Sequence, residues 1–195
     1  ARPAPPGSST PPQSNIDTFI RYARDLVELA RVDAVLITCS TMNRAFPAVQ
    51  QALEPYGVPV IQIDQPMMQR AVEHGGRILV VATHGPTVSS TQALLRETAD
   101  SLAKPVSFAG ADVPEAWYCL ARGDVEGHNA ALAAAIRARL TADAPIDSIV
   151  LAQLSMTVFL LSYPDPLAEF GVPVFTSGQC GFERVREVLA NAGKS

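Results

Sequence analysis

The sequence predicts an α/β protein built as two pseudo-symmetric parallel-sheet halves with a cleft between them. Short, β-branched apolar runs alternate with stretches of helical periodicity along the whole chain, the pattern of strands joined by helical crossovers. The segment Asp33 to Met42, DAVLITCSTM, returns in outline 114 residues later as Asp147 to Met156, DSIVLAQLSM. The same offset lays Gly57-Val58-Pro59-Val60 on Gly171-Val172-Pro173-Val174, without a gap. Finally, 48% hydrophobic against 17% charged residues supplies apolar surface for a sizeable core in a chain of 195 residues.

The elements follow in order. Residues 1–14 are proline-rich, lack apolar periodicity and read as a tail. From Asn15 onward Ile16, Phe19, Ile20, Ala23, Leu26, Val27 and Ala30 recur at helical spacing, with Ser14 or Asn15 as cap. Asp33 to Thr38 is a buried parallel strand. A helix over 44–53 and a strand over 58–63 follow, separated by Pro55, Gly57 and Pro59. A helix over 65–73 ends at Gly75-Gly76, and 77–82 is a strand. The loop THGPTVSS leads to a helix near 91–103, and 105–109 is a weaker strand. One helical turn is expected around 116–121 and an alanine-rich helix over 129–140. Strands over 146–152 and 172–175 and a helix over 182–190 complete the chain.

The repeat sets the expected boundaries: a first half over 1–75, with 180–195 packing back on it, and a second half over 76–179. Four strands fall in the second half and two in the first. A two-stranded parallel sheet has too little core to stand alone. The first half therefore reads as truncated at its N-terminus.

Several function classes drop out. A net charge of −4 and a pI near 5.3 disfavour nucleic acid and anionic membrane as partners. The longest apolar stretch, Ile149 to Tyr163, is too short to span a bilayer and carries Gln153, Ser155 and Ser162. The N-terminal residues lack the apolar core of a secretory signal. Cys39, Cys119 and Cys180 are too widely spaced for a disulfide framework or a zinc site, so no metal is expected. A cytoplasmic location is the expectation. Gly75-Gly76 precede a strand rather than follow one, so they are no dinucleotide fingerprint, and no Walker sequence occurs. The expected partner is a small anionic molecule, with self-association into a homo-oligomer left open.

Ligands of open α/β sheets bind beyond the carboxyl ends of the strands. Three segments lie there: Cys39-Ser40-Thr41, Thr83 to Val88, and Gln153 to Met156. Ser40, Thr41, Thr83, Thr87 and Ser155 offer hydroxyl donors to an anion such as a carboxylate, without fixed positive charge. Cys39, just past a strand and before two hydroxyl residues, is the candidate base or nucleophile, because a thiolate suits proton removal and addition.

TCSTMN at 38–43 and VATHGPTVSS at 81–90 make the chain, from about Asn15 to its end, resemble the aspartate/glutamate/hydantoin racemase superfamily. The resemblance implies two similar α/β halves and cofactor-independent isomerisation. It also implies one cysteine from each half on opposite sides of the substrate α-carbon. Cys39 matches the first cysteine; at the second, this chain has Gln153.

An amide neither donates nor accepts a proton as a thiol does. Gln153 is therefore read as a binding group that orients the substrate, and Cys39 as the acting thiol. The reading is an isomerase that transfers a proton at the α-carbon of a small carboxylate or hydantoin-like substrate. A one-thiol lyase, a cis–trans isomerase and a non-catalytic binding protein remain alternatives. Cys180, after the strand 172–175, is a reserve thiol, and His84 a reserve acid or base. Cys119 reads as a packed helix residue. His74 and His128 are expected to face solvent.

Overall fold

The computed structural model describes residues 11–142 and 144–192, apart from the side chains of Ser40, Thr41, Asn43 and Ala192. The expected tail over 1–14 falls mostly outside these residues. Its last two, Gln13 and Ser14, are already helical. The chain divides into two compact units, 1–64 with 180–195, and 65–179.

The first unit begins with α1 (Gln13–Ala30), which buries Ile16 and Ala23. No side chain caps it; Pro12 occupies the cap position and its carbonyl accepts from the Asn15 and Ile16 amides. Strand β1 (Val35–Ile37) runs into a 3₁₀ helix (Ser40–Ala45), then α2 (Phe46–Leu53) and β2 (Val60–Gln62). The two strands pair in parallel with Val35 opposite Val60 and Ile37 opposite Gln62. Val35, Ile37, Met42, Val49 and Leu53 join Ile16 and Ala23 in one core. Among the described residues this sheet has two strands.

The second unit contains α3 (Gln65–His74), β3 (Gly76–Ala82), α4 (Gly85–Ser101), β4 (Val106–Asp112), α5 (Pro114–Ala121) and α6 (Val125–Ala142). After these come β5 (Ser148–Leu151), a 3₁₀ helix (Leu154–Val158), α7 (Phe159–Ser162), α8 (Pro166–Phe170) and β6 (Val174–Thr176). Its four strands are all parallel, in the order β4-β3-β5-β6. Helix α3, expected in the first half, belongs here, because it packs against α4, β5 and β6. The last helix, α9 (Ser177–Ala192), starts in this unit and continues into the other.

The repeat is present in the backbone. Ile149 opposite Val174 and Leu151 opposite Thr176 reproduce the β1–β2 register at the 114-residue offset. The Val35 amide donates to the Pro59 carbonyl at 2.9 Å, and the Ile149 amide to Pro173 at 2.9 Å. Met42 bonds back to the Cys39 carbonyl at 3.0 Å, as Met156 does to Gln153 at 3.0 Å. Gly57 and Gly171 both have positive φ, 66° and 73°, and turn the chain into β2 and β6. Two strand–turn–helix–strand units of one geometry thus stand on divergent sequences.

Where structure and sequence expectation differ, packing or capping explains it. Helix α4 starts at Gly85 rather than near Thr91, so most of the expected loop is helical. Pro86 presets φ in its first turn. Val88 lies against Gly110, and the Gln92 amide donates to the Ala109 carbonyl, which outweighs the weak helix propensity of VSST. Helix α6 starts at Val125 because the Asp124 carboxylate accepts from the Gly127 amide at 2.8 Å. The short helices over 154–170 were not expected. An aromatic trio, Phe159, Tyr163 and Phe170, holds them, with centroids 4.6–5.8 Å apart. Arg137 of α6 covers Tyr163 and Phe170 and pairs with Glu169. His128 is a further correction. It is 0% exposed, and its Nδ1 bonds the Ala116 carbonyl at 2.8 Å.

The turn from α3 into β3 depends on two successive glycines with positive φ, Gly75 at 80° and Gly76 at 75°. A Cβ on Gly76 would run into Asp147, whose carboxylate accepts from the Arg77 amide at 2.6 Å. Gly76→Ala should therefore lower the unfolding free energy by about 1–3 kcal/mol. Urea denaturation of the variant beside wild type measures this, and a change under 0.5 kcal/mol would contradict it.

Candidate functional site

The strand order β4-β3-β5-β6 reverses direction between β3 and β5. The crossover from β3 leads to one side of the sheet and the return leads to the other. Their connections diverge at the carboxyl ends, the usual ligand position in such sheets. The residues at that point are Thr83, directly after β3, and Gln153, two residues after β5.

These two are in register. Val81 lies opposite Leu151 in the ladder, and the Ala152 amide donates to the Val81 carbonyl at 2.9 Å. Two residues further, the Thr83 amide and hydroxyl both donate to Gln153 Oε1, at 2.8 and 2.9 Å. Thr83 is 6% exposed, so both bonds form where water competes poorly. With Oε1 held by two donors, the amide can present only its Nε2, which has no hydrogen-bond partner among the described residues. The pairing fixes Gln153 as a donor.

The other expected site residues are distributed as follows. Thr83 is engaged with Gln153 rather than open to an anion. Thr87 is half-buried in the first turn of α4, its amide bonded to the His84 carbonyl at 2.9 Å. His84 is exposed and caps α4 with extended backbone. Ser155 is exposed in the 3₁₀ turn after Gln153. All four belong to the second unit.

In the first unit Cys39 is exposed, two residues past β1. Ser40 and Thr41 begin the 3₁₀ helix that follows, and their side chains lie outside the described residues. Cys180 is 2% exposed within α9, buried rather than presented. Cys119 is half-exposed on α5, with Arg122 Nη2 4.0 Å from its sulfur.

Among the described residues no cluster of His, Cys, Asp and Glu could hold a metal ion. Nor is any described helix long and apolar enough to cross a membrane.

Comparison with known proteins identifies the family. The profile of the Asp/Glu/hydantoin racemase family matches residues 1–185. The chain belongs to that family. It is thus an enzyme of the racemase and isomerase type. Solved structures agree on the fold.

A glutamate racemase from Bacillus anthracis superposes with a TM-score of 0.66 at 18% identity, covering 98% of this chain and 69% of that one. An allantoin racemase from Klebsiella pneumoniae gives 0.58 at 20% identity, with 91% and 66% covered. A maleate isomerase from Pseudomonas putida gives 0.57 at 14%, with 91% and 71% covered. No curated protein sequence matches the chain.

The Thr83–Gln153 pairing joins residues 70 apart in sequence, and only a strand order that places β3 beside β5 brings them together. A double-mutant cycle with Thr83→Val and Gln153→Ala should give a coupling of about 0.5–1.5 kcal/mol in unfolding free energy. Additive effects of the two substitutions would show that the hydrogen bond contributes nothing.

Proposed function

We propose that this family member is a cofactor-independent isomerase of a small carboxylate or hydantoin-like substrate. Cys39 serves as base or nucleophile at the carbon beside the carboxylate, and Gln153 as a binding group. The observation that carries this reading is the double donation of Thr83 to Gln153 Oε1. It turns the residue standing at the repeat position of Cys39 into an oriented N–H donor, suited to a carboxylate or ring carbonyl oxygen. The structural neighbours supply the substrate class. The racemase from Francisella tularensis was solved with D-glutamate and the isomerase from Pseudomonas putida with maleate.

In this scheme the Cys39 thiolate takes the α-proton: the C–H bond breaks, an S–H bond forms, and the electron pair passes into the carboxylate or ring carbonyl. The Gln153 N–H stabilises the oxygen that gains the charge. Returned by the same thiol to the same face, the proton gives exchange at the α-carbon, and inversion requires its return from the opposite face. Ser40, Thr41, Thr87 and Ser155 are the hydroxyls proposed to complete the anion's surroundings.

The same observation favours a second reading, because an oriented amide cannot deliver a proton to the opposite side of the carbon. A single thiol is sufficient for cis–trans isomerisation of an unsaturated dicarboxylate. The thiolate adds to the double bond, the new single bond rotates, and the thiolate leaves. A one-thiol lyase uses the same groups.

Proton NMR in D₂O, run on amino acids, hydantoins and maleate, distinguishes these outcomes. Proton transfer replaces the α-hydrogen with deuterium; addition and elimination interconvert the geometric isomers. Cys39→Ala should slow whichever reaction is found by about 10²–10⁴-fold. Gln153→Ala should lower kcat/KM about ten- to a hundredfold, as expected for a lost hydrogen bond to a charged group. If wild type and Cys39→Ala turn over equally, Cys39 is not the acting group. Ligand binding with no turnover of any compound would identify a binding protein.

A further inference from the structure

Inversion at the α-carbon needs a proton delivered to the face opposite the one it left, and an amide such as Gln153 cannot supply it. At the carboxyl ends of β3 and β5, residues 83–87 and 152–157 contain a single titratable side chain, His84. The other polar groups there are threonine, serine and glutamine, which release no proton near neutral pH. An imidazole both donates and accepts one in that range.

The backbone of His84 is anchored on both sides. Thr83 before it gives its amide and its hydroxyl to Gln153 Oε1. After it, the Thr87 amide donates to the His84 carbonyl at 2.9 Å and closes the first turn of α4, which contains Pro86. Between these anchors His84 is extended, with φ −153° and ψ 123°. Its ring is exposed and has no hydrogen-bond partner among the described residues.

The neighbouring titratable groups are placed differently. His74 lies before β3, at the amino end of the sheet, with Nε2 3.1 Å from the Asp147 carbonyl. His128 is buried against the Ala116 carbonyl. Asp112 lies opposite Ala82 in the ladder, and its Oδ2 would stand 3.1 Å from a Cβ on Gly85. It belongs to the outer strand β4, however, with β3 between it and β5. His84 alone of these directly follows the residue that holds Gln153.

We propose that His84 is a second catalytic residue, which delivers the proton to the face of the α-carbon opposite Cys39. The inference rests on the reading of Cys39 as the base. In one direction the Cys39 thiolate takes the α-proton, and the electron pair moves into the carboxylate or ring carbonyl. That pair then forms the new C–H bond as an imidazolium N–H bond of His84 breaks. Neutral imidazole and thiol remain, and the reverse direction starts from them: the imidazole takes the proton and the thiol returns one. The two groups together gain and lose nothing over the cycle. Gln153 binds the oxygen that carries the charge in both directions.

Hydrogen exchange and inversion, followed together by proton NMR in D₂O and chiral chromatography, test this. Each enantiomer of glutamate and of methylhydantoin serves as starting compound. His84→Asn introduces a residue that caps helices well, and His84→Gln keeps an amide of similar reach. Both variants should lose inversion by about a hundredfold or more, while exchange of one enantiomer stays within about threefold. Retained inversion in both variants overturns the proposal. Equal loss of exchange and inversion from both enantiomers also overturns it, and leaves His84 a part in binding or folding only. A wild type that exchanges without inverting has no opposite-face donor, which overturns the inference and leaves the reading of Cys39 intact. Failure of that reading shows separately, as unchanged exchange and inversion in Cys39→Ala.

Discussion

Parallel strands end at a common edge, and the pairing of β3 with β5 decides what meets at that edge in the second unit. With Val81 opposite Leu151, the next residues of the same parity are Thr83 and Gln153, on one face of the sheet. Their hydrogen bonds follow from that register. A one-residue slip of β5 would turn Gln153 to the other face and leave Thr83 without an acceptor. The core beneath enforces the register, since Leu79, Val81, Ile149 and Leu151 are all 0% exposed and pack together with Leu132 and Ile136. The oriented amide is thus held by an apolar core that has no direct part in any chemistry.

The duplicated geometry shows what a repeat conserves and what it leaves variable. Backbone bonds, register and the positive-φ glycines are the same in both copies, because they determine whether the strand–turn–helix–strand unit forms at all. The side chains at the strand ends take no part in the ladder, so they can diverge without unfolding it. Cys39 and Gln153 have diverged in this way, and so have Asp64 and Gly178. One scaffold then carries two different local chemistries, a thiol at one strand end and an amide at the other.

Much of this was legible beforehand. The strands were, because VLI, ILVV and SIVL are short apolar runs bounded by turn residues. The relation between the copies was too, because glycine and proline mark the turns at one spacing. Helix starts were not. Gly85 opens α4 through Val88 packing on Gly110, and Asp124 opens α6 by accepting from Gly127, contacts that no period in the sequence announces. His128 looked like a turn residue facing water, yet α6 starts early enough to carry it under α5.

By itself the sequence determined the fold class, the family resemblance, the thiol at Cys39 and its replacement by Gln153 in the second copy. Those are properties of residue type and spacing along the chain. The tertiary structure decided what Gln153 is able to do. An amide offers a donor and an acceptor equally until something takes one of them. Thr83, 70 residues away along the chain, takes the acceptor with two bonds because the sheet order makes β3 and β5 neighbours. Non-local pairing of this kind depends on which strand lies beside which, and that is settled by the packing of the whole unit.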